Sequence, residues 1–146
     1  MVAVEVLGWR EEDQAECLAV DGNGCAENCY QAMDMAESET YTIMNDGYPI
    51  GMFGVTPLVG MGIPPGWGTA WLLASNGLYS IKKEFLQQCP LWLDHLQRHY
   101  PVVTNFVHVK NTPGLRWCQY VGFSFATTAV PYGIAGEKFI QVTRSI

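Results

Sequence analysis

Cys118 and His108 lie on either side of one turn, and Tyr120 follows two residues later; these are the side chains with the most chemical potential in the chain. A thiol next to a histidine could act as a nucleophile. A thiol with an ordinary pKa of about 8.5 could also hand over a proton. The structural alternative for Cys118 is a buried helix residue packing on a sheet, and for His108 a packed or edge histidine. His95 and His99 are four apart on a predicted helix, the spacing of a two-histidine metal face, but no glutamate stands between them. They read as a polar helix face. Cys17, Cys25 and Cys29 form no Cys-x-x-Cys pair and have no histidine nearby, so no metal is expected. Gly22-Asn-Gly24 and Gly60-Met-Gly62 are not set between a strand and a helix, and carry no dinucleotide signal.

The elements that must position these groups follow from periodicity. Alternation predicts strands over residues 2–7, 41–44, 50–55, 69–74 and 102–110. Helices are predicted over 10–20, with acids in the first turn, and over 25–36. Another is predicted from Leu78 to Tyr100, with Pro90 as a kink or a restart. Asp46-Gly47 supplies the turn of a hairpin. Residues 54–68 hold five glycines and three prolines and fit no regular element. After a short helix from Asn111 that stops at Gly122-Phe123, a hairpin over 125–142 completes an α+β order with a mixed sheet.

Composition sets the remaining bounds. At 146 residues with 49% hydrophobic content, one domain spanning 1–146 with a packed core is expected. Five cysteines, an odd number at irregular spacing, suit reduced thiols. No apolar run of membrane-spanning length and no leader pattern appear, so a soluble intracellular protein is expected, with no membrane partner. Of fourteen acids, eleven fall in residues 1–46 beside a single base, Arg10. That half would repel nucleic acid, and reads as an acidic solvated helix or as a docking surface for a basic partner.

The segment from Asn111 to Phe123 resembles the last conserved segment of the GNAT N-acetyltransferases: an asparagine at a strand end, one short helix, then Gly-Phe. The resemblance implies a GNAT-like mixed, mostly antiparallel sheet with helices on both faces. It implies that Asn111 meets the acyl-CoA arm where two strands splay. It further implies that backbone groups of Leu72 and Leu73 bind pantetheine and hold the thioester oxygen. The family's tyrosine proton donor stands seven residues after the asparagine, where this chain has Cys118; Tyr120 comes two residues later. Its glycine-rich pyrophosphate loop corresponds here to residues 74–83, where Gly77 is the one glycine and Leu78 and Tyr79 are bulky. Lys82 and Lys83 are the cations nearest to that stretch.

Residues 39–125 resemble more specifically the internal virion protein A family of short-tailed coliphages. The shared features are Gly47-Tyr-Pro-Ile-Gly51, Trp71-Leu-Leu-Ala-Ser75, Lys82-Lys83 with Phe85, the run from Tyr100 to Val107, Asn111-Thr112 and Gly122-Phe123. This resemblance implies a virion-associated or assembly protein, a bacteriophage (podovirus) component with a catalytically degenerate acetyltransferase-like fold and no cofactor. Its partners would be phage head or ejection proteins, met in the host cytoplasm during assembly or in the virion. The expected contact residues are Val59, Met61, Ile63 and Trp67 of the Gly/Pro stretch, with the acidic first helix. The alternative is an acetyl-CoA-dependent N-acetyltransferase using Leu72, Leu73 and Asn111 for the cofactor and Cys118 or Tyr120 as donor.

Overall fold

The structure, a computed structural model, describes residues 8–22 and 37–146. The strand expected over 2–7 and the helix expected over 25–36 lie outside them. In chain order the elements are α1 (Glu11–Asp21), β1 (Glu39–Asn45), β2 (Tyr48–Pro57) and β3 (Trp67–Ala74). A 3₁₀ segment (Asn76–Ile81) leads into α2 (Lys82–Leu96), followed by β4 (Val102–His108) and α3 (Thr112–Tyr120). The short β5 (Ser124–Phe125) and β6 (Val130–Tyr132) precede β7 (Glu137–Ser145). The sheet order is β1-β2-β3-β4-β7-β5, with β6 also paired to β7. Among the described residues every pairing is antiparallel except β3 with β4.

The β1–β2 hairpin turns on Asp46 and Gly47, whose φ values of 49° and 82° are those a two-residue primed turn requires. Residues 54–68, expected to be irregular throughout, are irregular only over 58–66. Gly54 to Pro57 continue β2, and Trp67 and Gly68 begin β3. The glycines there serve close packing within strands. A Cβ on Gly54 would lie 2.3 Å from the Glu39 carbonyl oxygen, and one on Gly68 would lie 2.7 Å from Val55 Cγ2. Because the Glu39 contact is backbone, Gly54→Ala must push β1 away from β2. We expect it to cost about 1–3 kcal/mol in urea denaturation; an unchanged midpoint would show that β1 yields freely.

Pro90 sits inside α2 without ending it, at the cost of one helical bond to the Leu86 carbonyl. The helix stops at Leu96, short of Tyr100. Gln97 leaves the helix because its buried carboxamide donates to the Pro101 and Arg144 carbonyls, each at 3.0 Å. His99 therefore lies on a turn outside the helix, so the His95–His99 face expected from spacing does not form. His95 instead pairs with the Tyr41 hydroxyl at 2.9 Å.

Strand alternation sends side chains to two faces. On one, Val55, Val103 and Val142 pack against Cys89, Leu93 and Leu96 of α2 and Cys118 of α3. On the other, Met52 and Leu73 pack against Trp9 and Cys17 at α1. Among the described residues no helix is long and apolar enough to cross a membrane.

Candidate functional site: an opening between two parallel strands

β3 and β4 run paired for only three steps, Trp67 with Val102, Gly68 with Val103 and Thr69 with Thr104. Asn105 takes the next step with its side chain. Its Nδ2 donates to the Ala70 carbonyl at 2.6 Å, and its Oδ1 accepts from the Phe106 amide at 2.7 Å. The carboxamide thus stands in for ladder bonds and wedges the strands apart. No direct β3–β4 pairing continues beyond it.

Alternation decides which backbone groups face that opening. Ser75 donates to the Ile50 carbonyl and Leu58 to the Trp67 carbonyl. In that register the odd-numbered residues of β3 exchange bonds with β2, and the even-numbered ones face β4. Leu73, paired with Met52, spends its amide and carbonyl in the β2 ladder, and its side chain is buried. Leu72, opposite Phe53, turns its N–H and C=O into the opening, where no described residue bonds them. Of the two leucines expected to meet a thioester arm, only Leu72 has free backbone groups there.

The helix α1 lies across the opening and is tied to both of its edges. Its first turn is fixed to β3: the Arg10 amide donates to the Ala74 carbonyl at 2.7 Å, and Asp13 Oδ2 accepts from the Ala74 amide at 2.8 Å. One turn on, Glu16 Oε1 accepts from the His108 amide at 3.0 Å and from Asn111 Nδ2 at 2.7 Å. Glu16 Oε2 bonds to no described residue. At the far end, the Ile134 and Ala135 amides cap the Val20 and Ala19 carbonyls at 3.0 and 3.3 Å. The acidic helix expected to be solvated is therefore partly inward-facing: Arg10 and Asp13 are buried. The physical reason is that strand edges prised apart expose amides, and carboxylates supply the missing acceptors.

Burial pushes the Asp13 carboxyl above its ordinary range, although the Arg10 charge and the Ala74 amide pull the other way. Burial also raises Glu16, against the bonds from Asn111 and His108. Burial works against the Arg10 guanidinium too, yet Asp13 outweighs it and Arg10 stays firmly charged. Its Nε and Nη2 clasp both Asp13 oxygens at 3.0 and 2.9 Å.

The opening leads into a cleft of about 580 Å³ that continues beneath α2. Arg10, Asp13, Glu16 and Asn111 line its polar end, and residues such as Phe53, Ala70, Leu72, Phe85 and Trp117 its remainder. The indole nitrogen of Trp71, another lining residue, is buried with no hydrogen-bond partner among the described residues.

A sheet of this order, with one parallel pair that splays, has solved counterparts. A ribosomal-protein-alanine N-acetyltransferase from Brucella melitensis superposes with a TM-score of 0.70 at 13% identity, covering 97% of this chain and 93% of that one. An acetyltransferase of the GNAT family from Streptococcus pneumoniae does so with a TM-score of 0.60 at 12% identity, covering 80% and 71%. The chain has the GNAT acetyltransferase fold. An aminoglycoside acetyltransferase, AAC(6')-Ib, in complex with coenzyme A, matches at a TM-score of 0.58 and 16% identity, covering 74% of this chain and 66% of that one. No family model matches the sequence, and no curated protein matches it.

Asn111 follows β4, one of the two splayed strands, as the N-cap of α3. Its carboxamide is committed internally: Oδ1 caps α3 by accepting from the Gly114 amide at 3.0 Å, while Nδ2 holds Glu16. Cys118 lines the cleft but is buried, and its thiol is pushed up to about 12 by burial and by the charge of Glu16. A thiol that weak as an acid would give its proton to a departing thiolate only uphill. Tyr120 is 57% exposed on the outer side of α3 and does not line the cleft. His108 does not reach the thiol as an activating base. Its Nδ1 accepts from the Lys110 amide at 3.0 Å, and its Nε2 meets Glu137 at 2.8 Å.

Cys89, whose thiol burial raises to about 11 despite a bond from Trp117, is equally inert. Because alkylation needs the thiolate, peptides containing Cys89 and Cys118 should remain unlabelled by iodoacetamide at pH 8 in the native protein and label fully in urea. Rapid native labelling of Cys118 would mean that α3 does not hold it against the sheet and α2.

The region corresponding to a pyrophosphate loop is closed by its own contacts. The Gly77 amide donates to Ser75 Oγ at 3.3 Å, and the same hydroxyl donates to the Ile50 carbonyl at 3.0 Å. The bare face of Gly77 lies against Ile50, where a Cβ would sit 2.8 Å from Cγ2. Leu78 is buried, and the Tyr79 hydroxyl donates to Glu12. Burial acts to raise the Glu12 pKa, but the Tyr79 bond, its own amide and Arg10 together lower it, so a full negative charge stands there at neutral pH. Lys82 and Lys83 are exposed in the first turn of α2 and make no ion pair among the described residues.

Of the four residues expected to form a partner surface, Val59, Ile63 and Trp67 line one hollow together with Leu58 and Tyr100, and the four differ in exposure. Val59 and Met61 project from the loop with 76% and 103% exposure, whereas Ile63 and Trp67 are half-buried and line a smaller hollow with Thr69 and Tyr132. Asn105, Asp13 and Glu16 were not singled out by sequence reasoning. An asparagine inside an otherwise apolar strand was the one available signal.

Proposed function

We propose that the chain transfers an acyl group from a thioester to a primary amine, with the β3–β4 opening as the seat of the thioester. The observation that supports this is the free N–H and C=O of Leu72 facing the opening. An extended thioester arm laid along β3 would receive the Leu72 N–H at its carbonyl oxygen and offer its own amide to the Leu72 C=O. Negative charge gathers on that oxygen as the amine attacks, and a fixed amide aimed at it favours the transition state over the ground state. Glu16 supplies the base. Two donors hold its Oε1, leaving Oε2 to accept the proton of the attacking amine. The C–N bond forms, the C–S bond breaks, and the proton taken by Glu16 passes to the departing thiolate. No role falls to Cys118 or Tyr120.

The test is to incubate the protein with acetyl-CoA and longer acyl thioesters against polyamines and peptide N-termini, following the acylated amine by mass spectrometry. An amine-dependent product is expected, and its absence across all donors would reject the reading.

A second reading is the assembly role implied by the resemblance of residues 39–125 to the internal virion protein A family, with phage head or ejection proteins as partners. The observation favouring it is that the Ala74, Phe106 and His108 amides are already bonded by Asp13, Asn105 and Glu16. Under it, Val59 and Met61 are the contact residues. Mass spectrometry of purified particles and assembly intermediates decides it, since absence from both would exclude that role.

A further inference from the structure

The cleft is much larger than an acetyl group needs, and its inner wall is apolar. Its volume of about 580 Å³ falls within the range of sites that enclose a whole small molecule. Phe85, Leu93 and Leu96 of α2 face Phe53 and Ala70 of the sheet across it. Two polar atoms on these walls are satisfied within the protein: Trp117 Nε1 donates to Cys89 Sγ at 3.1 Å, and the Tyr41 hydroxyl meets His95 Nε2 at 2.9 Å, while Glu84 and Gln88, which also line the cleft, are exposed to solvent. A space of this kind gives water few partners and suits a hydrocarbon occupant. At its mouth the polarity changes. The Leu72 N–H and C=O face it and bond to no described residue, so an entering molecule should carry hydrogen-bonding groups at its head and none along its tail.

Among the described residues the nucleotide end offers the exposed Lys82 and Lys83 but a poor backbone cradle. The Gly77 amide is spent on Ser75, and Glu12 stands against Tyr79, where it would repel a diphosphate. Most of the binding strength should therefore come from the tail.

We propose that the donor is recognised by its acyl chain: the cleft beneath α2 takes the hydrocarbon of a medium-chain acyl thioester, with the thioester head at Leu72. This deepens the transferase reading, since it takes the opening as the thioester's seat, but it concerns binding and can be tested without turnover. Each buried methylene should tighten binding about fourfold until the cleft is full.

The experiment is calorimetric titration of the protein with acetyl, butyryl, octanoyl and dodecanoyl thioesters, each prepared on N-acetylcysteamine and on coenzyme A. Affinity should climb steeply from acetyl to octanoyl, and the cysteamine and coenzyme A esters of one chain should bind within a few-fold of each other. Ala70→Phe, which narrows the cleft, should move the optimum to shorter chains. If that variant does not fold, the wild-type series alone decides. Affinity independent of chain length, or a coenzyme A ester binding orders of magnitude more tightly than its cysteamine counterpart, would overturn the inference. Steep chain dependence without acylation of any amine would uphold it and reject the transferase reading; turnover of acetyl-CoA with no chain preference would do the opposite.

Discussion

Arg10→Met is expected to destabilise the protein by about 3–5 kcal/mol at pH 7, the cost of leaving one partner of a buried ion pair alone. Arg10 and Asp13 are 8% and 4% exposed in their side chains and meet through two hydrogen bonds. Methionine keeps much of the volume and removes the charge, so the Asp13 carboxylate is left buried with the Ala74 amide for support. The loss should depend on pH with a definite sign. Burial already holds the Asp13 pKa above its ordinary value of 3.8, and without Arg10 it rises further. A carboxyl whose folded pKa is raised contributes stability that is complete below its unfolded pKa and is lost as pH rises through the folded one. The variant should therefore approach wild type in acid and fall away towards neutrality. Adding Asp13→Asn removes the stranded charge yet keeps an acceptor for Ala74, and should recover more than half of the loss. Urea denaturation between pH 4 and 8 provides the measurement. A loss below 1 kcal/mol at pH 7 would mean that α1 is not anchored through this pair.

Glu16→Gln separates catalysis from structure at the same helix. The amide oxygen of glutamine can still accept from His108 and Asn111, so α1 should stay seated and thioester binding should change little. What is lost is the proton acceptor. Acyl transfer should slow by about 10²–10⁴-fold, the usual contribution of a placed general base, and the fall should appear in kcat rather than in KM. Stability should move the other way. Burial raises Glu16 above its ordinary value of 4.5, so wild type loses stability as pH rises through the folded value, and the variant should show a shallower decline. Full activity in Glu16→Gln would assign the base elsewhere. Destabilisation at neutral pH would show that the charge itself holds the splay.

Much of the framework was legible in residue order. The Asp46-Gly47 turn, the alternation of β4 and the helix start at Asn111 are local signals, because dihedral preference and side-chain period act over a few residues. Residues 54–68 misled because glycine and proline there signify close packing within β2 and β3 as well as an irregular loop. The helix was expected to reach Tyr100 because apolar spacing continued, whereas Gln97 ends it through bonds to the Pro101 carbonyl four residues on and to the Arg144 carbonyl of β7.

Composition and periodicity alone determined an α+β chain with a strand and a short helix in succession around Asn111. They also placed most of its acids near the start. Only the tertiary structure decided that β3 and β4 separate after three pairs, that Leu72 rather than Leu73 faces the gap, and that Asp13 and Glu16 turn inward to hold its edges. The reason is physical: a strand edge acquires unmet amides only when its neighbour departs, and which side chains answer them depends on a helix brought there from dozens of residues away.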